Sequence, residues 1–414
     1  MVSNEVPGRS TVRYIRGRLV TEAGIIDDGV LAVDGDRISF AGQATAFDSG
    51  SAPADRDFPP GSIILPGLVD THCHGANGGD FANADADAAR RAIDFLHRSG
   101  TTTLLASTMT APRQDLLNAL AVLADLAEEG VIAGIHAEGP FVSVARCGAQ
   151  NPDYISDPEP DYVAELIEAA QGRMKTMTYA PELPGADALV DTLTTHGITP
   201  SLGHTDSDTD TAAASLALAW EEMESTGFDG YSMRPTVTHL FNGMPPLHHR
   251  SPGPVAACLR AAKAGTAVVE LIADNAHLDP QTVLTVFDLV GSENITLVTD
   301  SMAAAGLPDG NYHLGSSAVT VADGVATLDR TGSLAGGTAV LLDVVRRTVA
   351  AGVLLEDAVA SATVVPANVL GLADELGSLR LGLRADALVV TADLELLAVL
   401  REGTWLEPLE RGHH

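Results

Sequence analysis

The sequence predicts an α/β fold, a TIM-like (β/α)8 barrel carrying a small β-sandwich domain formed from both termini. Two observations predict the barrel. From Ser62 onward, β-branched apolar runs alternate with Ala/Leu-rich helical stretches, the rhythm of successive βα units around a parallel sheet. Eight such runs can be read, the number that closes a barrel. A third observation predicts the sandwich: residues 1–61 and 379–414 read as short strands broken by Gly-Asp and Asp-Gly turns, so the two ends are assigned to one β domain and residues 62–378 to the barrel.

Taken in order, TVRYIRGRLVT and GVLAVDGDRISFAG are the N-terminal strands, and the Pro-rich FPPGS closes that segment. The eight barrel strands are SIILPGLVD (62–70), TTTLLAST (101–108), VIAGIHAE (131–138), MKTMTYAP (174–181), ITPSLGHT (198–205), PTVTHLFN (235–242), AVVELIAD (267–274) and ITLVTD (295–300). Helices are expected between them, for example over 84–98, 112–129 and 280–290, the last opening with Pro in its first turn. Residues 307–335 interrupt the pattern with strand-like, turn-rich sequence. Two Ala/Val/Leu-rich helices follow, and LRLGLRADALVV and LELLAVLREG return to strand character.

Composition narrows the function. Lys and Arg number 24 against 55 Asp and Glu, a formal charge of −31, so a general electrostatic grip on nucleic acid or an anionic membrane is excluded and an anionic ligand needs a local basic pocket. MVSNEVPGRS has no apolar h-region and no stretch reaches the ~18 apolar residues of a spanning helix, so a cytoplasmic protein is expected. Cys73, Cys147 and Cys258 form no CxxC pattern, which leaves neither a disulfide framework nor a thiolate zinc site.

The chemistry gathers at strand ends. His72 and His74 in DTHCHG are two residues apart, so a period of two points both imidazoles to one side and Cys73 to the other. Glu138 ends the third strand, His204 the fifth, His239 the sixth and Asp300 the eighth. A single histidine or carboxylate at such a place is more often a satisfied polar residue than a ligand. All of these positions lie at the C-terminal mouth of a barrel, where barrel enzymes place their active sites, and together they offer five N/O ligands and one further carboxylate. That donor set suits a catalytic divalent ion, zinc first, with iron or manganese as alternatives. His136 faces inward one layer deeper than Glu138 and is expected to support the site without ligating.

DTHCHG, HAEGPF, GHT, THLFNGM, HHRSPGP, IADNAHL, LVTD and LAGG, in this order and spacing, resemble the N-acetylglucosamine-6-phosphate deacetylase family of the amidohydrolase superfamily over nearly the whole chain. The resemblance implies hydrolysis of N-acetyl-D-glucosamine 6-phosphate to D-glucosamine 6-phosphate and acetate, in amino-sugar catabolism and cell-wall recycling. It implies a metal site at Glu138, His204 and His239 and a catalytic Asp at Asp300. Because some members lack the HxH pair and hold one ion, His72 and His74 make a second ion possible here. It further implies a homodimer, with the phosphate bound by Asn242, Gly243 and Arg250, with His249 or His248 as contacts in trans, and with His277 near the scissile amide. Two departures stand out. The family's Lys-Gly-x-His is Cys-Gly-Ala-Gln here, so that Gln150 replaces a His at a substrate-facing position with Arg146 as a nearby cation, and its Leu-x-Gly-Ser ends in Gly337. Cys147, in the same loop, has no histidine partner evident in sequence and is read as incidental.

Overall fold

In the computed structural model, which describes residues 12–50, 52–227, 232–407 and 409, eight parallel strands stand side by side in chain order. They are β1 (Leu68–Asp70), β2 (Thr101–Met109), β3 (Gly134–Glu138), β4 (Met174–Tyr179), β5 (Thr199–Leu202), β6 (Thr236–Val237), β7 (Val268–Leu271) and β8 (Ile295–Leu297). Each of the eight overlaps one of the runs read from sequence. Their outward side chains pack on the covering helices. Leu104, Ile135, Met177 and Tyr179 meet Ile93, Leu120, Leu166 and Leu193, while Val237, Val269 and Leu297 meet Leu216, Val255 and Val286. Helix boundaries follow local chemistry: Asp85 caps Ala86–Arg98, Asp208 caps Thr209–Thr226, and Asp279 caps Pro280–Val290.

The barrel closes between β8 and β1 with few direct strand bonds. Low down, Val69 N donates to Ala362 O and Leu297 N to Ser361 O, so a helical turn seals the gap. In the middle, the fully buried Asp70 carboxylate accepts from Thr299 Oγ1 at 2.7 Å and from the Thr299 and His72 amides at 3.3 Å. At the mouth, Asp300 N donates to His72 O and His74 N to Ser301 O. This last pairing keeps residues 72–74 extended beyond the end of β1, and it brings Asp300 beside the HxH pair. The floor is plugged by the helix Val364–Val369, whose Val365, Ala367 and Val369 pack with Val69, Leu105 and Val268.

The termini form a second sheet of seven strands, Val12–Thr21, Gly24–Asp34, Arg37–Gln43, Ile63–Pro66, Ala387–Val390, Leu396–Arg401 and Thr404–Trp405. It is one continuous sheet wrapped around Leu19, Leu31, Val33, Ile64, Leu379 and Val389. Residues 382–385 pair back onto Arg37–Gln43 through Ile38 N to Leu383 O and Gly382 N to Ile38 O. One reading is corrected here: the run 62–70 is two strands. Ile63–Pro66 belongs to the terminal sheet and only Leu68–Asp70 to the barrel. The chain changes sheets at Gly67, where a Cβ would lie 2.2 Å from Thr102 Oγ1.

Residues 307–335 fold as a three-stranded antiparallel sheet, Gly310–Leu314, Ser317–Ala322 and Val325–Leu328, with its own small core of Leu314, Val319, Val321 and Leu328. The buried Asp80, in the loop after β1, accepts from Gly315 N at 2.7 Å and fixes the first turn of this sheet over the barrel mouth.

Candidate active site

Six side chains meet at the mouth. Glu138 arrives directly at the end of β3; His204, His239 and Asp300 come two or three residues past β5, β6 and β8. The last three have φ of 46°, 28° and 47°. Left-handed backbone is uncommon for such residues and collects at functional sites, and it turns each side chain from the strand direction into the mouth.

The six form two groups that share Glu138. In one, His204 Nε2 and His239 Nε2 face each other at 3.1 Å and lie 3.1 and 2.9 Å from Glu138 Oε1. In the other, His72 Nε2 and His74 Nε2 face each other at 3.2 Å, and both approach Asp300 Oδ1, at 3.5 and 3.2 Å. Glu138 reaches this second group as well, with Oε1 3.5 Å from His72 Nε2 and Oε2 3.2 Å from His74 Nε2. All six are nearly shut off from solvent.

Electrostatics explains what such a cluster wants. Burial by itself would lower the His72 and His74 imidazoles, but Asp300 and Glu138, together with Glu270 at His72, raise them to about 9 and about 10. Burial pushes the Glu138 and Asp300 carboxyls upward, yet the surrounding imidazoles hold both below the usual carboxylate range. The site therefore demands positive charge. Paired imidazole nitrogens that face each other at 3.1–3.2 Å, rimmed by carboxylate oxygens, are the donor set of a divalent cation, which displaces protons on binding. Each group, His72–His74–Asp300 and Glu138–His204–His239, brings its ligand atoms within 4.8 Å of one another.

Above the ligands lies a cavity of about 220 Å³. Of the residues singled out in the sequence, His74, Glu138, Gln150, His204, His239, Asn242, Gly243, His277 and Asp300 line it, and His72 sits just beneath. Met109, Leu314, Leu334 and Gly336 complete the wall, so the 310–328 sheet and the loop after it form one side. His277 Nδ1 donates to Asp274 Oδ2 at 2.8 Å, which leaves Nε2 for a ligand. Burial opposes protonation of this ring, but Asp274 and Asp300 raise it above its ordinary value.

His248, His249 and Arg250 do not line the cavity within the chain; all three are exposed, on a turn that follows Pro245 and Pro246. Gln150 is buried, and its amide braces the metal-site carboxylate: Nε2 donates to Glu138 Oε2 at 2.6 Å while Oε1 accepts from Thr110 N at 2.7 Å. Arg146 gives its guanidinium to Asp206 at 2.7 Å, and only its carbonyl serves the site, by accepting from His204 Nδ1. Gly337 does not face the cavity. It packs behind Asp300, where its N–H donates to Asp300 O and a Cβ would lie 2.3 Å from Thr299 O. His136 is in the layer below, in contact with Ser107 Oγ at 2.9 Å and Thr178 Oγ1 at 2.8 Å.

Gly243 is required by contact as well as by its φ of 61°. A Cβ there would lie 2.7 Å from His204 Nδ1, the atom tied to Arg146 O. Gly243→Ala is therefore expected to push the imidazole off its metal-binding position and to lower kcat/KM by roughly 10²-fold, the cost of an ångström-scale misplacement at a reacting centre. Steady-state kinetics with metal content measured on the same sample checks this, and wild-type kinetics would show that His204 yields without consequence.

The family to which such a site belongs is decided by residues 63–406, which match the sequence profile described as the amidohydrolase family. The chain belongs to the amidohydrolase family. Within it, the chain is 33% identical over 388 residues to the N-acetylglucosamine-6-phosphate deacetylase of Vibrio furnissii, covering 92% of this chain and 90% of the relative. It is 31% identical to the N-acetylgalactosamine-6-phosphate deacetylase of Escherichia coli O157:H7, over 93% of this chain and 97% of that one. Among solved structures it superimposes on a mutant of the Mycobacterium smegmatis N-acetyl-D-glucosamine-6-phosphate deacetylase in complex with N-acetyl-D-glucosamine-6-phosphate, with a TM-score of 0.86 and 35% identity, covering 95% of this chain and 99% of that one.

Proposed function

We propose that this amidohydrolase cleaves the acetamide of N-acetyl-D-glucosamine 6-phosphate, releasing D-glucosamine 6-phosphate and acetate. The observation that carries the reaction class is Asp300, a carboxylate held ionised beside two imidazole–carboxylate groups that share Glu138, at the base of a cavity for one small molecule. The similarity to deacetylases of 6-phosphorylated amino sugars supports the substrate.

Glu138, His204 and His239 would hold one divalent ion, and His72, His74 and Asp300, with Glu138 shared, a second; zinc heads the candidates, with iron and manganese accepting the same ligands. A cation so held lowers the pKa of water and polarises the carbonyl oxygen. The rest belongs to the chain. Asp300 takes the proton of the attacking water and returns it to the amide nitrogen as the C–N bond breaks. His277, whose Nδ1 donates to Asp274 and whose protonated form that carboxylate favours, would direct Nε2 at the developing oxyanion. Met109, Leu314 and Leu334 keep one wall apolar and limit competing water.

Phosphate recognition is the part of the reading that needs a second copy of the chain. Asn242 and Gly243 line the cavity and offer donors, but the protein carries a charge of −31 and, among the described residues, no Lys or Arg lines the cavity. A homodimer in which His249 and Arg250 of one protomer reach the other's cavity supplies the missing cation, and Arg suits phosphate through its bidentate fork. A cytoplasmic setting fits the substrate, and among the described residues no helix is long and apolar enough to cross a membrane.

The test is acetate release from N-acetylglucosamine and N-acetylgalactosamine, each with and without 6-phosphate, by the wild type and Arg250→Ala. The phosphorylated gluco sugar should be the best substrate. Arg250→Ala should raise its KM by about 10–100-fold, the effect of losing a charge-assisted hydrogen bond of ~1.5–3 kcal/mol, and should leave the unphosphorylated sugars unchanged. Equal use of phosphorylated and plain sugars would sink the substrate assignment. Equal loss on both sugars would remove Arg250 from phosphate binding.

A further inference from the structure

Each ligand imidazole must have its second ring nitrogen settled before the first can face a cation, and the four histidines differ in how this is done. His204 Nδ1 donates to the Arg146 carbonyl at 2.8 Å. His74 Nδ1 and His239 Nδ1 have no hydrogen-bond partner among the described residues. His72 alone of the four has a carboxylate behind it: its Nδ1 donates to Glu270 Oε2 at 3.0 Å. Glu270 comes from the inward face of β7, is 2% exposed, and with the same oxygen accepts from His239 N at 3.1 Å. One buried carboxylate thus holds the ring of a ligand in one group and the backbone of a ligand in the other.

The surroundings leave His72 little alternative. Beneath it, the His136 ring packs edge-on at 4.4 Å and is itself fixed between Ser107 and Thr178. A turn of the His72 ring away from Glu270 would strand that carboxylate in the barrel interior. The other tautomer would place a proton on Nε2, the atom that faces His74 Nε2 at 3.2 Å and must carry a free lone pair to bind a cation.

We propose that Glu270 is a positioning residue that fixes His72 as the Nδ1–H tautomer and so decides whether the His72/His74 group holds an ion. This rests on the two-ion reading above. Carboxylates behind ligating histidines orient the ring and raise its basicity, and their loss typically weakens metal binding ~10–100-fold. The effect should fall on one ion of the two, because the Glu138, His204 and His239 side chains keep their contacts with one another and an amide oxygen at residue 270 can still accept from His239 N.

The experiment is equilibrium dialysis of chelator-stripped protein against stepped free zinc, with bound metal counted per chain, for wild type, Glu270→Gln, His72→Ala and the double variant His72→Ala/Glu270→Gln. Glu270→Gln keeps the side chain's size and one carbonyl oxygen to accept from His239 N, and the double variant leaves no stranded carboxylate. The wild type should bind two ions. Glu270→Gln should bind the first as wild type does and the second 10–100-fold more weakly, and in the His72→Ala background the same change should add nothing. Unchanged affinity for both ions in Glu270→Gln, or equal weakening of both, would overturn the positioning role while the two-ion reading stood. A wild type that saturates at one ion would instead overturn that reading, and the role of Glu270 with it.

Discussion

Asp300→Asn is expected to lower kcat by on the order of 10²–10⁴, the range of a lost general acid/base, while metal remains in the Glu138, His204 and His239 group. The change keeps shape and removes both proton affinity and charge. The backbone around the residue should hold, because its anchors are main-chain ones: Asp300 N donates to His72 O and Gly337 N to Asp300 O. Asp300 pairs with His72 and His74, whereas the short distances of His204 and His239 are to Glu138 and to each other. The effect should therefore be in the chemical step, with KM little altered. Single-turnover acetate release and metal analysis of the same preparation separate the two. Turnover near wild type would remove Asp300 from the mechanism, and loss of all metal would mean that the Glu138, His204 and His239 group depends on it as well.

The barrel, and most of its site, could be read in the sequence because both rest on short-range signals. Apolar runs lead directly into His72 and His74, Glu138, His204, His239 and Asp300, and the alternation that points His72 and His74 one way sends Cys73 into the hydrophobic layer. What could not be read depends on contacts between distant segments. The run 62–70 carries no local sign that it serves two sheets; the break at Gly67 is imposed by Thr102 and Asp386 packing against it. A charge cluster such as His248–Arg250 reveals its sign but not the direction of its loop. Gln150 and Gly337 belong to recognisable motifs, yet their roles come from Glu138, Thr110 and Thr299, residues contributed by other strands and loops. Glu270 and Asp70 fall outside the candidate ligand set, although a signal exists for both: each is a lone carboxylate in an apolar strand run, and a charge there stays buried only if it is paired. Asp274, visible in IADNAHL, gains its meaning from the bond to His277 three residues on.

Glu138→Gln should have the other large effect, because Glu138 is where the two groups meet. Its Oε1 lies within 3.5 Å of His204, His239 and His72, and its Oε2 lies 3.2 Å from His74. Among the described residues no other carboxylate faces the Nε2 atoms of both sets. An amide in its place cannot neutralise a cation and puts an NH2 group where a ligand oxygen belongs. If it turns its nitrogen toward Oε2's position instead, it meets the Gln150 amide, which donates there at 2.6 Å, and two donors then oppose each other in a buried site. Metal should be lost from both groups and activity should fall by about three powers of ten or more, since the cation is worth several kcal/mol of transition-state stabilisation. A second readout needs no substrate. Ligand that binds only the folded state raises its stability, so the wild-type Tm should climb with added zinc and drop with chelator. The Tm of the variant should respond to neither. Stoichiometric metal in Glu138→Gln, or a Tm that still follows zinc, would mean that the imidazoles suffice and that Glu138 is not the residue joining the two half-sites.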